Sequence, residues 1–118
     1  MILGIGIDVV NISRFKYYSE TIPTFLSKLF SPQELRLSCS QLAGNYAANE
    51  AFFKACPANY QHSVSTIEVL RDADGRPTLA MYDFDGIPLS ALKAHISLTN
   101  LENITIAMIV IEHRGLYL

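Results

Sequence analysis

Residues 1–10 read MILGIGIDVV, and this opening stretch sets the pattern on which the fold is built. Its alternation predicts a β-strand, because successive side chains of a strand point to opposite faces. One face carries Gly4 and Gly6, which lead to the carboxylate of Asp8, and such glycines often mark close approach by backbone or a ligand. The other face is apolar throughout and is expected to be core: Leu3, Ile5, Ile7 and Val9.

Several helices are predicted after this strand. Asn11 is a suitable N-cap for a helix over 13–19, and Pro23 precedes a short helix over 24–29. The strand is therefore followed by short helices rather than by a second strand.

A capping box and an alanine-rich run mark the next helical segments. Ser31, Pro32 and Glu34 combine the box with proline at the first helical position, so another short helix is expected there. The longest helix signal covers 40–55; it is rich in alanine and ends before Pro57.

The second half of the chain predicts two hairpins. In chain order, the expected elements are strands over 66–70 and 77–82, a short helix over 88–93, and strands over 94–99 and 104–112. Asp72-Ala73-Asp74-Gly75 is a strong turn signal for the first hairpin. Because 106–111 is apolar on both faces, it is predicted to be a central strand.

Composition restricts the class of protein. The chain has 118 residues, 50% hydrophobic and 17% charged, so 1–118 is expected to form a single domain. A net charge of −2 argues against a nucleic-acid partner, which requires clustered cations. No apolar stretch approaches the ~20 residues that cross a bilayer, so no membrane partner is expected. Cys39 and Cys56 form neither a disulfide framework nor a zinc motif, which indicates a reduced, cytoplasmic protein.

Three groups of residues could carry chemistry, and the first is Gly4-Ile5-Gly6-Ile7-Asp8. It is not a dinucleotide-binding motif, because Val9 stands where a third glycine is required. Two interpretations of Asp8 remain open. It ends a strand or caps the next helix, or it faces a ligand beside the glycines.

The second group lies on the predicted long helix. Glu50 and Lys54 stand at i and i+4, in the order that favours an ion pair on one helix. Such a pair is often a solvent-exposed contact of small energetic value. The alternative is that Glu50, on a closely packed alanine-rich helix, shares a hard divalent cation with Asp8.

The third group is the predicted strand His95-Ile96-Ser97-Leu98-Thr99. His95, Ser97 and Thr99 would face one side, and an imidazole beside two hydroxyls suits phosphate oxygens or proton transfer. A lone histidine on a strand is more often structural, and both interpretations remain open.

Together these segments resemble the holo-acyl-carrier-protein synthase family, the small 4'-phosphopantetheinyl transferases. The resemblance runs in order over most of the chain, through GIGIDVV, LFSPQEL, LAGNYAANEAFFKA, IEVLRDADGRPTL, HISLTN and TIAMIVIE. It implies an α+β fold, with a bent antiparallel sheet packed around one long helix and short N-terminal helices. It also implies a homotrimer with active sites between subunits.

The same resemblance implies a function and residue roles. The 4'-phosphopantetheine group would pass from coenzyme A to a serine of an apo acyl carrier protein, with Mg²⁺, in fatty acid biosynthesis, releasing 3',5'-ADP. Asp8 and Glu50 would be metal ligands and catalytic residues. The coenzyme A site would include Lys54, Arg76, Pro77, His95 and Ser97. Arg14, Lys16 and Lys28 would face the acidic carrier protein.

The chain departs from the family pattern at several polar positions. Asn45 and Asn49 stand where arginine and lysine are usual, Asn100 replaces a second histidine, and 55–59 lacks a glycine-rich loop. Two cations are thereby missing from a site that would hold a polyanion. The alternative is therefore a catalytically impaired relative that acts as a carrier-protein-binding or assembly module.

Overall fold

The computed structural model describes Met1–Gly115. In chain order its elements are β1 (Ile2–Asn11), α1 (Ile12–Thr21), α2 (Phe25–Leu29), a 3₁₀ turn (Glu34–Arg36), α3 (Cys39–Ala55), α4 (Ala58–Gln61), β2 (Thr66–Arg71), β3 (Pro77–Tyr82), β4 (Leu92–Leu101) and β5 (Ile104–His113). The predicted helices over 13–19, 24–29 and 40–55 are confirmed with shifted ends, and α4 was not predicted. Within Met1–Gly115, no helix is long and apolar enough to span a bilayer.

The strands form two antiparallel sheets. β1, β5 and β4 lie side by side in that order, and β2 pairs with β3. The predicted central position of β5 is confirmed. Because α3 packs across one side of the three-stranded sheet, the predicted α+β fold around one long helix is also confirmed.

The glycines of β1 face α3, and this decides which side of the strand is buried. A Cβ atom on Gly4 would lie 1.7 Å from the Ala55 carbonyl oxygen, and one on Gly6 would lie 1.9 Å from the Ala51 carbonyl oxygen. Only a residue without a side chain allows the helix backbone so near the strand. Leu3, beside a shift in the strand register, also packs against the core.

The opposite side of β1 is exposed, so the prediction that Ile5, Ile7 and Val9 belong to the core is wrong. Their exposed fractions are 63%, 58% and 59%. The register places Ile7 beside Met108 of β5, and Met108 beside Ser97 of β4. This side of the three-stranded sheet is termed the outer face. Met108 is 44% exposed on it, so β5 is central without being buried on both sides.

Side-chain caps position the first and third helices. Asn11 Oδ1 accepts a hydrogen bond from the Arg14 N–H at 2.9 Å, which confirms the predicted N-cap of α1. α3 begins at a second, unpredicted capping box, in which Ser38 and Gln41 exchange side-chain-to-backbone hydrogen bonds. Both caps lie next to elements that carry candidate site residues.

The predicted capping box at Ser31 is present, but it supports a single 3₁₀ turn. The Ser31 N–H donates to Glu34 Oε1 at 3.1 Å, and the Glu34 N–H donates to Ser31 Oγ at 3.2 Å. Glu34 is fully buried, and its Oε2 accepts from Asn45 Nδ2 at 2.9 Å and from the Val69 N–H at 3.3 Å. The carboxylate thus ties the turn to α3 and β2.

The sequence D-x-D-G-x-P occurs at 72–77 and again at 83–88, and it forms the same turn both times. Oδ1 of the first aspartate accepts hydrogen bonds from the backbone N–H groups of the third and fifth residues, each at 2.9 Å. The two glycines have φ of 80° and 77°, which glycine adopts without strain. The second turn folds Pro88 back beside Tyr82, so the helix predicted over 88–93 is wrong.

Candidate active site

A cavity of about 330 Å³ brings Asp8 and Glu50 together, and it is termed the carboxylate cavity. Asp8 comes from β1 and Glu50 from α3. Glu50 is exposed, so the expectation that it packs closely among alanines is wrong. The other polar residues that line the cavity are Asn11 at the end of β1, Arg14 and Tyr18 of α1, and Tyr46 of α3. Two carboxylates that are distant in sequence therefore face one accessible space.

Tyr46 responds to the charge in this cavity. Burial raises the pKa of its phenol above 10.0, and the charges of Glu50 and Asp8 raise it further. The phenol therefore stays protonated at neutral pH and offers a hydrogen-bond donor beside the carboxylates. Sequence reasoning missed Tyr46, although its position four residues before Glu50 on one helix face was the available signal.

Lys54 connects α3 to β1. Its Nζ donates to Asp8 Oδ1 at 2.9 Å and to the Ile7 carbonyl oxygen at 3.0 Å. The lysine thus pairs with Asp8, and in the described part of the chain it makes no ion pair with Glu50. The Lys54 side chain is 56% exposed, so the ion pair adds little stability and the ammonium can reach a ligand.

The donor set of the carboxylate cavity fits a magnesium ion. Mg²⁺ is usually held by one or two carboxylates, with water and substrate phosphates completing its shell. Asp8 and Glu50 supply those two carboxylates. Residues 1–115 contain no cluster of three or more His, Cys, Asp or Glu side chains that would form an all-protein metal site. The residues present therefore suit an ion shared with a phosphate ligand.

His95 and Ser97 lie on the outer face, away from the carboxylate cavity. Strand alternation places them on the side of β4 opposite to Ile96, which packs against the core. His95 Nε2 lies 2.7 Å from Glu112 Oε1, and the hydrogen bond from His95 lowers the pKa of Glu112. Glu112, which sequence reasoning missed, therefore orients the His95 ring.

Two of the predicted coenzyme A residues, Pro77 on β3 and His95 on β4, lie at the same groove. This groove of about 660 Å³ lies between the two strands, and Lys93 and Arg114 also line it. Arg76 is exposed in the first D-x-D-G-x-P turn, where its N–H bonds to Asp72. The structure thus places Pro77 and His95 in one groove but does not bring them to Asp8 within one chain.

A second cavity, of about 350 Å³, lies beside the first turns of α3 and is termed the arginine cavity. Its polar lining residues are Ser40, Gln41, Arg71, Thr99 and Asn100, and the turn residue Gly75 also borders it. Sequence reasoning did not select Arg71. The alternation of β2, with Arg71 two residues after an apolar position, was the available signal.

The asparagines that depart from the family pattern differ in their surroundings. Asn45 is fully buried and its amide donates to Glu34 Oε2 at 2.9 Å and to the Val69 carbonyl oxygen at 3.0 Å. Asn49 Oδ1 is buried without a hydrogen-bond partner in the described chain. Asn100 lines the arginine cavity. Asn45 is thus part of the core, whereas Asn100 is available to a ligand.

The three basic residues expected at the carrier-protein surface are dispersed. Arg14 lines the carboxylate cavity. Lys16 is exposed two residues later on α1, about 200° around the helix. Lys28 borders a separate cavity between α2 and β2. Of the three, Arg14 is the one placed directly at the carboxylates.

Comparisons with known proteins show the family of the chain. The family model of the 4'-phosphopantetheinyl transferase superfamily matches residues 4–108. A holo-[acyl-carrier-protein] synthase of Clavibacter sepedonicus is 34% identical over 118 residues, covering 98% of this chain and 99% of that protein.

Solved structures show the same fold. The acyl carrier protein synthase of Mycobacterium tuberculosis superposes with a TM-score of 0.74 at 29% identity, over 96% of this chain and 99% of that one. The ACPS–CoA complex of Chronobacterium ammoniagenes superposes with a TM-score of 0.72 at 25% identity, over 94% and 97%. With its motifs, its fold and these matches in agreement, the chain belongs to the 4'-phosphopantetheinyl transferase superfamily.

Proposed function

We propose that this chain transfers 4'-phosphopantetheine from coenzyme A to a serine of an apo acyl carrier protein, with Mg²⁺, and releases 3',5'-ADP. The observation that carries the proposal is the carboxylate cavity, which Asp8 and Glu50 both line and where Lys54 donates a hydrogen bond to Asp8. A relative named holo-[acyl-carrier-protein] synthase and a structural neighbour solved with coenzyme A support the choice of substrates.

The reaction breaks the phosphoanhydride bond of coenzyme A and forms a phosphoester bond to the serine oxygen. The serine oxygen attacks the β-phosphorus of coenzyme A, and the bond from that phosphorus to 3',5'-ADP breaks with its electron pair on the leaving group. The serine proton must depart as the new bond forms. Asp8 or Glu50 can accept it, directly or through one water, because carboxylates within hydrogen-bond reach serve as general bases.

The side chains around the carboxylates divide the remaining work. A bound Mg²⁺, held by Asp8 and Glu50, would offset the charge of the diphosphate. The Lys54 ammonium contributes a second positive charge from the Asp8 side. The protonated Tyr46 phenol would be available there as a hydrogen-bond donor to the phosphate oxygens.

A homotrimer would unite the two halves of the site. Asp8 and Glu50 lie at the helix side of the sheet, whereas His95 and Ser97 lie on the outer face with the exposed side chains of Ile5 and other apolar residues. Covering this apolar surface with a second copy removes it from water, which favours association. The neighbouring copy would then supply His95, Ser97 and Pro77 to a site that begins with Asp8.

Arg14 is proposed to guide the acidic carrier protein toward the cavity, with Lys16 and Lys28 adding longer-range attraction. The activity is proposed to be cytoplasmic, in fatty acid biosynthesis. The free thiols of Cys39 and Cys56 suit a reducing compartment.

Mass spectrometry of an apo acyl carrier protein tests the proposal. Incubation with this protein, coenzyme A and Mg²⁺ should add one phosphopantetheine to the carrier, and a chelator should prevent the addition. Asp8→Asn should lose transfer, whereas Asp74→Asn, in an exposed turn, serves as a charge-matched control. A carrier protein that binds but is never modified by the wild type would favour the carrier-binding module instead.

A further inference from the structure

We infer that Arg71 is a specificity-determining residue of this enzyme, which binds the phosphate monoester on the ribose of coenzyme A. The inference rests on the proposed function and adds to it a cation that lies outside the motifs. It concerns the arginine cavity, which shares no lining residue with the carboxylate cavity.

Arg71 is a partly buried cation, and the described residues leave part of its guanidinium without a hydrogen-bond partner. It follows the buried Val69 by two positions on β2, so its side chain leaves the strand on the core-facing side. Its Nη1 atom is buried and has no hydrogen-bond partner among the residues described. Because removing a cation from water without a partner costs free energy, this arrangement is suited to receive an anion.

The nearest acid does not satisfy the guanidinium. The charge of Glu34 raises the pKa of Arg71, although burial has the larger effect and lowers it. Both carboxylate oxygens of Glu34 already accept hydrogen bonds, from the backbone N–H groups of Ser31 and Val69 and from the amide of Asn45. The charge of Glu34 therefore raises the pKa of Arg71, but the oxygens of Glu34 bond elsewhere. The N–H donors of the Arg71 guanidinium are left available to a ligand.

The remaining lining of the arginine cavity suits a phosphate. Thr99, Asn100, Ser40 and Gln41 bring hydroxyl and amide groups, and no carboxylate lines the cavity. The cavity also borders the first turns of the 17-residue helix α3, where the helix dipole favours negative charge. An arginine fork with neutral donors around it matches the oxygens of a phosphate.

Because the two cavities are separate, we expect them to bind different phosphate groups of coenzyme A. Coenzyme A carries a diphosphate and a phosphate monoester on its ribose. The diphosphate contains the reacting phosphorus, so in the proposed reaction it belongs with Asp8 and Glu50. The monoester is the remaining phosphate, and the arginine cavity offers it the Arg71 guanidinium with neutral donors and no carboxylate in the lining.

Calorimetric binding of coenzyme A and of dephospho-coenzyme A, which lacks the monoester, tests the inference. The wild type should bind coenzyme A about 10- to 100-fold more tightly, as expected for charge-assisted hydrogen bonds. Arg71→Gln should remove most of this preference by weakening coenzyme A alone. Arg71→Lys should keep part of it, and Arg36→Gln, which removes an exposed arginine, should keep all of it.

The comparison of two ligands on one variant separates recognition from folding. An Arg71→Gln protein that binds both ligands more weakly by the same factor, or that keeps the wild-type preference, would overturn the assignment of Arg71. If the wild type still modifies the carrier protein in either case, the proposed function stands without the assignment of Arg71. If the wild type binds neither ligand and modifies no carrier protein, both the inference about Arg71 and the proposed function are overturned.

Discussion

The carboxylate cavity and the arginine cavity are nearly equal in volume, about 330 and 350 Å³, but opposite in chemistry. Middle residues of α3, Tyr46 and Glu50, line the first, and the first turns of α3 line the second. One helix can serve both because its faces and turns meet different neighbours: β1 and α1 beside the carboxylates, the β2–β3 turn beside the arginine. A single element thus borders both the cavity with two carboxylates and the cavity with an arginine.

The largest expected effect comes from moving α3 away from β1, which would break both cavities together. Gly6→Ala would place a Cβ atom 1.9 Å from the Ala51 carbonyl oxygen, so helix and strand must separate. We expect a loss of more than about 3 kcal/mol in the free energy of unfolding, measured with urea.

Gly44→Ala is the matched control for this change, because its Cβ would lie 3.4 Å from Thr105 Oγ1. Removing a glycine from within a helix favours folding by up to about 1 kcal/mol, so this variant should be unchanged or more stable. Equal stability of the Gly6 and Gly44 variants would contradict the close approach of α3 to β1.

The next largest effect should be confined to the carboxylate cavity. Glu50→Gln keeps the size of an exposed side chain but removes one of two carboxylates, so we expect transfer to fall about 100-fold or more with stability retained. The preference for coenzyme A over dephospho-coenzyme A should not change. A lost preference in this variant would mean that the two cavities do not act separately; Glu102→Gln, on an exposed turn, is the control.

A moderate effect is expected at the mouth of the carboxylate cavity. Arg14→Glu should slow association with an acidic carrier protein about 10-fold at low salt, because charge complementarity acts mainly on the association rate. Stopped-flow measurements should show the difference shrink as salt is added. Association that is indifferent to both changes would place the docking surface elsewhere.

The smallest effect should come from adding a charge one position before Glu50 on α3. Asn49 leaves a buried oxygen without a partner in the described structure, next in sequence to Glu50. Asn49→Lys replaces that oxygen by a cation, and calorimetry should show coenzyme A binding tightened about fivefold. Gln33→Lys adds the same charge on an exposed turn and should leave the affinity as it is.

Local patterns in the sequence were sufficient for most of the fold. The N-cap at Asn11, the alanine-rich α3 and the hairpin turn at 72–75 act through neighbours within a few residues, so they are legible without the tertiary structure. The helix expected over 88–93 failed because the second D-x-D-G-x-P turn, at 83–88, was not recognised as a turn. The repeat at a spacing of eleven residues was present in the sequence.

The candidate site, too, was predictable from the sequence only in part. Asp8, Glu50 and Lys54 are recognisable because each lies in a distinctive motif, whereas Tyr46, Arg71 and Glu112 become candidates through what they face. Alternation alone could not tell which side of β1 is buried. Burial of the bare glycine side follows from the backbone approach of α3, since a helix packs closest where no side chain intervenes.

By itself, then, the sequence determined most of the helices and strands, the N-cap of α1, the central place of β5 and the family, since these follow from patterns along the chain. The tertiary structure alone decided three further points: that Lys54 pairs with Asp8, that Ile5 and its neighbours form an exposed outer face, and that Arg71 enters a cavity without carboxylates. Each depends on which surfaces meet across distant segments. A hydrophobic period of two or 3.6 residues predicts that a strand or a helix has one apolar face. It does not show which distant segment packs against that face.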